Sequence, residues 1–550
     1  MSETEASKRL QSSLDTDKGR FNEITALSQK AINDGMSQLL KNHTDLTEVK
    51  ASMEGIGTLD AKLQSSQLSL DVTGQQDVVS MYYCTLESGT LHLTVSTDKE
   101  FDVSGWTIAW TCTLDKEVVD PSSDEFKQVQ TQIMQPGDYS ISSLFFAFTN
   151  DHIIFFDRAH STFNGTELSE DQKSYLGLIL GHWYTDPDTS KWKDRQKRTL
   201  AYALHTDKPE TVNEEAPSFP PTSLKLQTYP YIAPNETKPG QGLGSAGDNN
   251  MLLYLQMTDK RPFPDVRLLE YSGNYVSKGM NGTIIIDRDI IWDSYLFRTT
   301  APKLLSQFNV YTYAWVASAS NPNLFGEQWS IGLGDPSHSS DASFYAWKQS
   351  GSDNLTWTWT PSNEEQKYNN TYQSDAGWNK LNITCTTSNT LSTASGTGDI
   401  KASGTTDVTI VCQAVATTYP MVAEYDYTIH VKITWETNIT VTTTDGGLKF
   451  SLNLPTDLTK VFEVKADPLQ WKGDTAGFDK LDEVKTRYQK FQDQLVKQFQ
   501  STSFGEAEKS LEGDLNNSAR FVIPGKGSLE YKNPIFNSNG DMMIEADYIV

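Results

Sequence analysis

Two-residue alternation over a long Thr-rich segment, residues 311–454, constrains the fold of this chain more than any other feature. Stretches such as Leu355-Thr-Trp-Thr-Trp-Thr place apolar and polar side chains in turn, which is the period of a half-buried strand. β-Branched and aromatic residues pack well on such a pleated surface. The same alternation recurs at 68–72, 78–86, 91–95 and 106–114. The sequence therefore predicts a protein dominated by antiparallel sheets.

Three other segments carry apolar residues at three- and four-residue spacings, which predicts amphipathic helices. They run over 21–40, over 288–309, where Pro302 is expected to kink the helix, and over 478–500. The expected fold class is α+β, with long curved antiparallel sheets wrapped around these helices. The apolar faces are assigned to Ile24, Leu27, Met36 and Leu40, to Ile291, Tyr295, Leu304 and Phe308, and to Leu481, Val484, Tyr488, Phe491 and Leu495.

Chain length predicts more than one packed unit, because 550 residues exceed what one hydrophobic core usually organises. A polar tail at 1–17 precedes a first lobe at 18–285, in which a helix leads into a β-meander. The second lobe, 286–550, repeats that order and is closed by the helix at 478–500. A Pro- and Gly-rich segment at 216–250 is predicted to be an exposed insert in the first lobe.

The charge balance limits the classes of partner. The chain carries 46 Lys and Arg against 71 Asp and Glu, and the resulting net charge of −25 would repel nucleic-acid phosphates. The first residues are polar, and no apolar stretch is long enough to span a membrane, so we expect a cytoplasmic protein or one released by a non-classical route. The four cysteines form no CxxC pair and are predicted to be buried free thiols.

Motifs for catalysis, metals or cofactors are weak throughout. Gly242-Leu-Gly-Ser-Ala-Gly matches a dinucleotide-binding pattern, but a Pro-rich loop precedes it and a strand follows, so it indicates a loop. The eight histidines show no zinc-binding spacing, and His152, Asp157 and His160 are interpreted as the polar ends of a hairpin. We therefore expect a protein that is not an enzyme and has no metal and no cofactor.

A short basic run stands out in the acidic chain. Lys191, Trp192, Lys193 and Arg195 combine cations with an aromatic ring, which can seat on lipid headgroups and gives a candidate for peripheral membrane contact. The alternative is a solvated loop or helix end.

An elongated apolar groove is the leading functional hypothesis, because helices laid on curved sheets leave an interior that side chains or acyl chains can fill. The expected ligand is a lipid or another apolar molecule. In a second hypothesis the chain is a membrane-interacting or pore-forming assembly component that uses exposed aromatic strands, with Trp357 and Trp359 as examples. A third is carbohydrate binding through surface Trp and Tyr of 311–454.

Three short phrases carry a resemblance to a known family. They are Ile24-Thr-Ala-Leu-Ser-Gln-Lys-Ala-Ile-Asn-Asp, Asn250-Met-Leu-Leu-Tyr-Leu-Gln-Met-Thr, and Gly282-Thr-Ile-Ile-Ile-Asp-Arg-Asp-Ile-Ile-Trp-Asp-Ser-Tyr-Leu. Together with the order of elements they resemble the tubular lipid-binding (TULIP) superfamily, and within it the clostridial neurotoxin-cluster 47-kDa protein family. That resemblance implies binding of lipids or phosphoinositides in an apolar tube without catalysis. It also implies association with protein partners in a toxin-like complex.

Overall fold

The computed structural model describes residues 3–72, 79–95, 98–133, 140–147, 156–186, 191, 199–205, 221–300, 308–316, 327–333, 346–350, 355–360, 367–418, 421–444, 447–457, 460–474, 480–501, 521–523 and 527–548. This part of the chain is rich in strands, and they form curled antiparallel sheets. The predicted dominance of antiparallel sheet is therefore confirmed.

The described helices are α1 (Glu5–Leu10), α2 (Gln29–Asn42), α3 (Asp124–Ile133), α4 (Glu170–Thr185), the π-helix α5 (Asp289–Thr300) and α6 (Lys480–Ser501). The strands of the first half are β1 (Asp15–Thr16), β2 (Gly19–Arg20), β3 (Glu23–Ser28), β4 (Glu48–Met53), β5 (Gly57–Leu70), β6 (Val79–Leu93), β7 (Lys99–Asp102), β8 (Thr107–Val118), β9 (Ser140–Ala147), β10 (Thr199–His205), β11 (Ser223–Tyr229), β12 (Met251–Met257) and β13 (Gly282–Ile286). The remaining strands are β14 (Val310–Val316), β15 (Glu327–Leu333), β16 (Lys348–Gln349), β17 (Thr356–Trp359), β18 (Lys367–Ser374), β19 (Gly377–Thr393), β20 (Asp399–Thr418), β21 (Met421–Thr444), β22 (Gly447–Asn453), β23 (Phe462–Ala466), β24 (Gln470–Asp474), β25 (Phe521–Ile523), β26 (Gly527–Phe536) and β27 (Met542–Tyr548).

The first sheet has the order β11-β12-β3-β13-β27-β26-β25-β10-β9-β8-β6-β5-β4, with β7 beside β6. The sheet curls on itself. Its two distant strands β8 and β11 come close enough for Lys116 on β8 to donate a hydrogen bond to the carbonyl of Leu224 on β11, although many strands lie between them in the sheet order. Helix α2 packs against β5, and α4 packs against β4 and β5. Strands from both sides of residue 285, the predicted lobe boundary, belong to this sheet, so the two predicted lobes share it.

The second sheet has the order β16-β17-β19-β20-β21-β22, with β18 beside β19 and with β23 and β24 beside β21. Strands β19 to β21 are long and pair in unbroken register, as their alternation predicts. A separate hairpin, β14–β15, packs against β19, and α6 packs against β15. One face of the long strands is covered by these elements, and the other faces solvent.

Three apolar clusters fill the interior. The main cluster runs from α2 and α4 through α5 to β17 and β20–β22 and therefore joins the two sheets. At the junction the rings of Trp292 and Trp357 stack with centroids 3.7 Å apart, and Trp292 donates to the carbonyl of Gly540 at 3.2 Å. A second cluster lies between β19–β21, β15 and α6, and a third covers the opposite face of β3 and β12. The four cysteines are buried free thiols, as predicted.

The helix predicted over 21–40 is wrong for its first part. Residues Glu23–Ser28 form β3, a central strand with β12 on one side and β13 on the other, and α2 begins at Gln29. Every residue of β3 is buried, so apolar residues occupy both faces of the strand and imitate the three- and four-residue spacing of a helix. Ser28 ends the strand and caps the helix, because its side chain accepts the N–H of Ala31.

Two further segments differ from expectation. The predicted exposed insert at 216–250 contains β11, and its Gly-rich loop packs at the start of α2, where Gln29 Nε2 donates to the carbonyl of Gly242 at 2.9 Å. The helix predicted over 288–309 is the π-helix α5 up to Thr300. Pro302 and the expected kink lie outside the described residues.

Trp357 and Trp359 are not exposed, which corrects the second functional hypothesis. They are 5% and 2% exposed, because β17 pairs with β19 in a register that places Trp357 opposite the inward-facing Leu391. Exposed aromatic residues must therefore be sought elsewhere on this sheet.

Candidate functional site

The groove residues predicted near the start of the chain separate onto two faces of one sheet. Ile24 lies in the third cluster, whereas Leu27, Met36 and Leu40 lie in the main cluster. Ile24 and Leu27 lie on opposite faces of β3, since side chains at even and odd positions of a strand point in opposite directions. These residues therefore do not line one common groove.

The groove residues of the other two helical segments are also divided. Ile291, Tyr295 and Phe308 join the main cluster, whereas Val484 and Leu495 join the second cluster and Tyr488 packs against it. Leu481 is half-buried on α6. Leu304 and the side chain of Phe491 lie outside the part of the chain that the structure describes.

The protein's own side chains close the interior around these residues. Met36, Tyr295 and Leu495 are 2%, 4% and 4% exposed. In the second cluster Trp329 donates to the hydroxyl of Tyr427 at 3.0 Å, and the Arg487 guanidinium lies over the Trp329 ring. Where these described side chains pack against one another, an acyl chain could lie along their faces only if some of them moved, because buried side chains fill protein interiors closely.

One block of polar groups inside the first sheet stands apart from the apolar core. Glu23 lies opposite Gln256 in the register of β3 and β12, and Thr25 follows on the same face. Both carboxylate oxygens of Glu23, the Thr25 hydroxyl and Oε1 of Gln256 are buried without a hydrogen-bond partner in the structure as described. Burial raises the pKa of Glu23 to about 8, so its carboxyl group is neutral at pH 7.

A buried ionic network lies just before β3 in the chain, around the Arg20 side chain. Arg20 contacts Asp15, lies 2.6 Å from Asp541 and donates to Asp287 at 3.1 Å. Burial raises the pKa of Asp287 to about 6, against the opposing effect of the Arg20 charge. The network ties the start of the chain to the entry of α5 and to the β26–β27 hairpin, which indicates a structural role.

The residues predicted as possible metal ligands and the basic run do not form a binding site in the described part of the chain. Among the residues that the structure describes, no group of three or more His, Cys, Asp or Glu side chains is placed to hold a metal ion. Asp157 and His160 form a hydrogen bond of 2.8 Å in a turn, and His152 lies outside the described residues. Lys191 is exposed, whereas Trp192, Lys193 and Arg195 of the basic run lie outside the described part.

An exposed apolar patch occurs at one end of the second sheet. Trp378 at the start of β19 is 36% exposed, and Val422 at the start of β21 is 56% exposed. Val415 on β20 is half-buried and pairs with Trp378 on one side and with Glu424 on the other. Trp378, Val415 and Val422 all belong to the solvent-facing positions of their strands, and we call them the sheet-end patch.

Charged side chains border the sheet-end patch. Asp426 pairs with Lys472 on β24, and Glu424 lies two positions away from Asp426 on the same face. A cleft of about 460 Å³ is lined by Trp378, Gln413, Ala414, Val415, Val422, Glu424, Tyr425, Asp426, Lys472 and Gly473. The structure thus brings an indole ring, two valines, two carboxylates and one ammonium group to a single concave surface.

Sequence reasoning missed the sheet-end patch, although a signal for it exists. In β19 the inward positions are Leu381, Ile383 and Cys385, so Trp378 falls in the phase of the exposed Lys380 and Asn382. Val422 likewise shares the phase of Glu424, opposite to that of the buried Tyr425. A large apolar residue in the polar phase of a strand marks a surface position that packing does not explain.

No helix in the described part of the chain combines the length and apolar character that crossing a membrane requires. No family model matches the chain, and no curated protein matches its sequence.

Solved structures similar to this chain include two of P47 from Clostridium botulinum. The P47 of Clostridium botulinum E1 has a TM-score of 0.45 and 12% identity, with 96% of this chain and 99% of that chain covered. The P47 of Clostridium botulinum A2 has a TM-score of 0.45 and 11% identity over 96% and 97% of the two chains. A lipopolysaccharide binding protein follows, with a TM-score of 0.31 and 9% identity over 96% and 99%. Likeness at this level gives no information about the ligand of this chain.

Proposed function

We propose that this chain is a non-enzymatic lipid-binding protein that contacts lipid at the sheet-end patch. The observation that carries the proposal is the exposure of Trp378 on β19 and of Val422 on β21, which line one cleft together with Val415 on the strand between them. Indole rings are favoured where apolar and aqueous surroundings meet, because the ring is apolar and its N–H can remain hydrated.

The grouping of these side chains supports the proposal more than exposure alone. Single exposed apolar residues are ordinary on protein surfaces. Four large hydrophobic residues are exposed in the described part of the chain, Val118, Tyr271, Trp378 and Val422, and two of the four lie at this end. Burial in the described core supports the same proposal, because most of the predicted groove residues that the structure describes pack against other side chains of the protein.

Flotation with lipid vesicles tests the proposal. The wild-type protein is expected to float with vesicles, and Val422→Ser is expected to reduce the bound fraction. Val118→Ser is the matched control, since Val118 is 57% exposed against 56% for Val422 but lies on β8, away from the patch. Equal flotation of the two variants would count against the patch. Release of an entrapped dye would favour the pore-forming alternative over simple binding.

An interior ligand is the second candidate, and one observation favours it. The block of Glu23, Thr25 and Gln256 presents buried polar atoms without hydrogen-bond partners in the structure as described, and a lipid headgroup that both donates and accepts hydrogen bonds would satisfy them. In this version of the groove hypothesis, the lipid headgroup would lie at the block of Glu23, Thr25 and Gln256, and its acyl chains would lie in the apolar interior. Extraction of purified protein followed by mass spectrometry is expected to yield a co-purified lipid if it holds, and protein without lipid argues against it.

The carbohydrate alternative loses part of its support. Of the Trp side chains that the structure describes on the second sheet, Trp357, Trp359 and Trp435 are buried, Trp471 on β24 is half-buried, and Trp378 is the exposed one. Association with protein partners in a complex remains part of the proposal that the sequence resemblance suggests. Co-purification with proteins of the same source would test it.

A further inference from the structure

We propose that the cleft beside the sheet-end patch binds the phosphocholine headgroup of a lipid bilayer. This inference rests on the proposed function and names the headgroup that the site accepts. It is carried by the charges that surround Trp378 and by their order across the sheet.

The arrangement of Trp378 and Glu424 suits a quaternary ammonium group. Both lie in one row across three strands, Trp378–Val415–Glu424, and face solvent on the same side of the sheet. Neighbouring strands are about 4.8 Å apart, so roughly two strand spacings separate the backbones of the indole and the carboxylate. A trimethylammonium group placed above Val415 would lie between the indole and the carboxylate, and an aromatic ring beside a carboxylate is a pair of groups that attracts such cations.

The next row supplies the complementary charge. Lys472 is exposed, lies opposite Asp426 in the register of β21 and β24, and lines the same cleft. Its ammonium group can pair with the phosphate of the headgroup as a point charge. The cleft therefore offers a negative and aromatic part to the cation of phosphocholine and a positive part to its anion. A headgroup with both charges matches this surface better than one with a single charge.

Charge also selects against anionic lipids. Glu424 and Asp426 line the cleft with Lys472, the exposed Lys380 lies in the next row on the same face, and the whole chain carries a net charge of −25. An anionic membrane surface would repel such a protein, since headgroup potentials attract basic and not acidic segments. Val422 lines the same cleft and is 56% exposed, so its methyl groups can meet the acyl region once the headgroup is bound.

The test compares vesicles of phosphatidylcholine, phosphatidylethanolamine and phosphatidylglycerol, with full-length protein and flotation as the readout. Binding is expected to be strongest to phosphatidylcholine and weakest to phosphatidylglycerol. Trp378→Leu keeps apolar bulk but removes the aromatic face, and it should weaken binding to phosphatidylcholine about two- to fivefold, which is the size of an exposed cation–π contact. Glu424→Gln should weaken it in the same direction without changing the apolar surface.

Unfolding midpoints equal to that of the wild type establish that both variants fold. The headgroup inference is overturned if all three lipids bind equally, or if neither Trp378→Leu nor Glu424→Gln weakens binding to phosphatidylcholine. In that case a loss of flotation confined to Val422→Ser would still support the proposed function. Absence of flotation with every vesicle would overturn both.

Discussion

At the scale of single residues, the side chains that matter most are those whose chemistry conflicts with their surroundings. Glu23 is a carboxylic acid in an apolar interior, and Trp378 is an indole ring in water. The first conflict concerns stability, because ionisation of Glu23 would place an unpaired charge in the core. The second concerns function. Neither residue was assigned a role from the sequence, because Glu23 lies in a segment predicted to be a helix and the inward face of β19 was not known.

Replacement of Glu23 by Gln is expected to remove part of the pH dependence of stability. The pKa of Glu23 is about 8 in the folded protein against about 4.3 in an unfolded chain, so the folded state binds the proton more tightly. The free energy of unfolding therefore falls as pH rises from about 4.3 to about 8, and levels off above that. In urea unfolding at pH 5 and pH 8, the wild type should lose more stability between the two values than Glu23→Gln. Equal losses would show that Glu23 ionises freely, and Glu424→Gln serves as the exposed control.

The substitution Arg20→Ala, which removes the guanidinium group, is expected to lower the free energy of unfolding strongly. Asp287 and Asp541 would remain buried without their cation, and breaking one partner of a buried ion pair costs about 3–5 kcal/mol. Arg261→Ala is the control, because the Arg261–Asp259 pair is exposed and such pairs contribute about 0–1 kcal/mol. Chemical denaturation of both variants measures the difference. Similar midpoints for the two would contradict the structural role given to the network.

At the scale of elements, the sequence was most informative where one face of a strand is exposed. The alternation of β19 to β21 predicted long antiparallel strands, and they are present. It failed for β3, which is buried on both faces, and it gave no indication that β25–β27 return to the first sheet, because pairing between distant strands leaves no local pattern. The predicted groove residues fell into different clusters for a related reason, because a local pattern does not show which distant strands and helices pack together.

The junction of β3 and α2 gives a prediction at this scale. Ser28→Ala removes the oxygen that accepts the N–H of Ala31, and loss of such a cap costs about 0.5–2 kcal/mol. Ser28→Thr keeps an accepting oxygen and is expected to retain more of the stability. The free energy of unfolding of the three proteins checks the order wild type, Thr, Ala. An Ala variant as stable as the wild type would remove the cap from the account of this boundary.

At the scale of the whole molecule, the two sheets share one apolar cluster, and the distal end of the second sheet carries the exposed apolar surface. This arrangement separates the buried core of the described residues from an exposed end of the second sheet. If lipid binds at the sheet-end patch, the packing of the main cluster should not change. If lipid enters the interior, side chains of the main cluster must move.

Hydrogen exchange with and without phosphatidylcholine vesicles tests this distinction most directly. The account predicts slower exchange on vesicle addition in peptides that contain Trp378 and in those that span Val415 to Asp426, with exchange in α2 and β3 unchanged. Protection or opening confined to α2 and β3, with no change around Trp378, would contradict it.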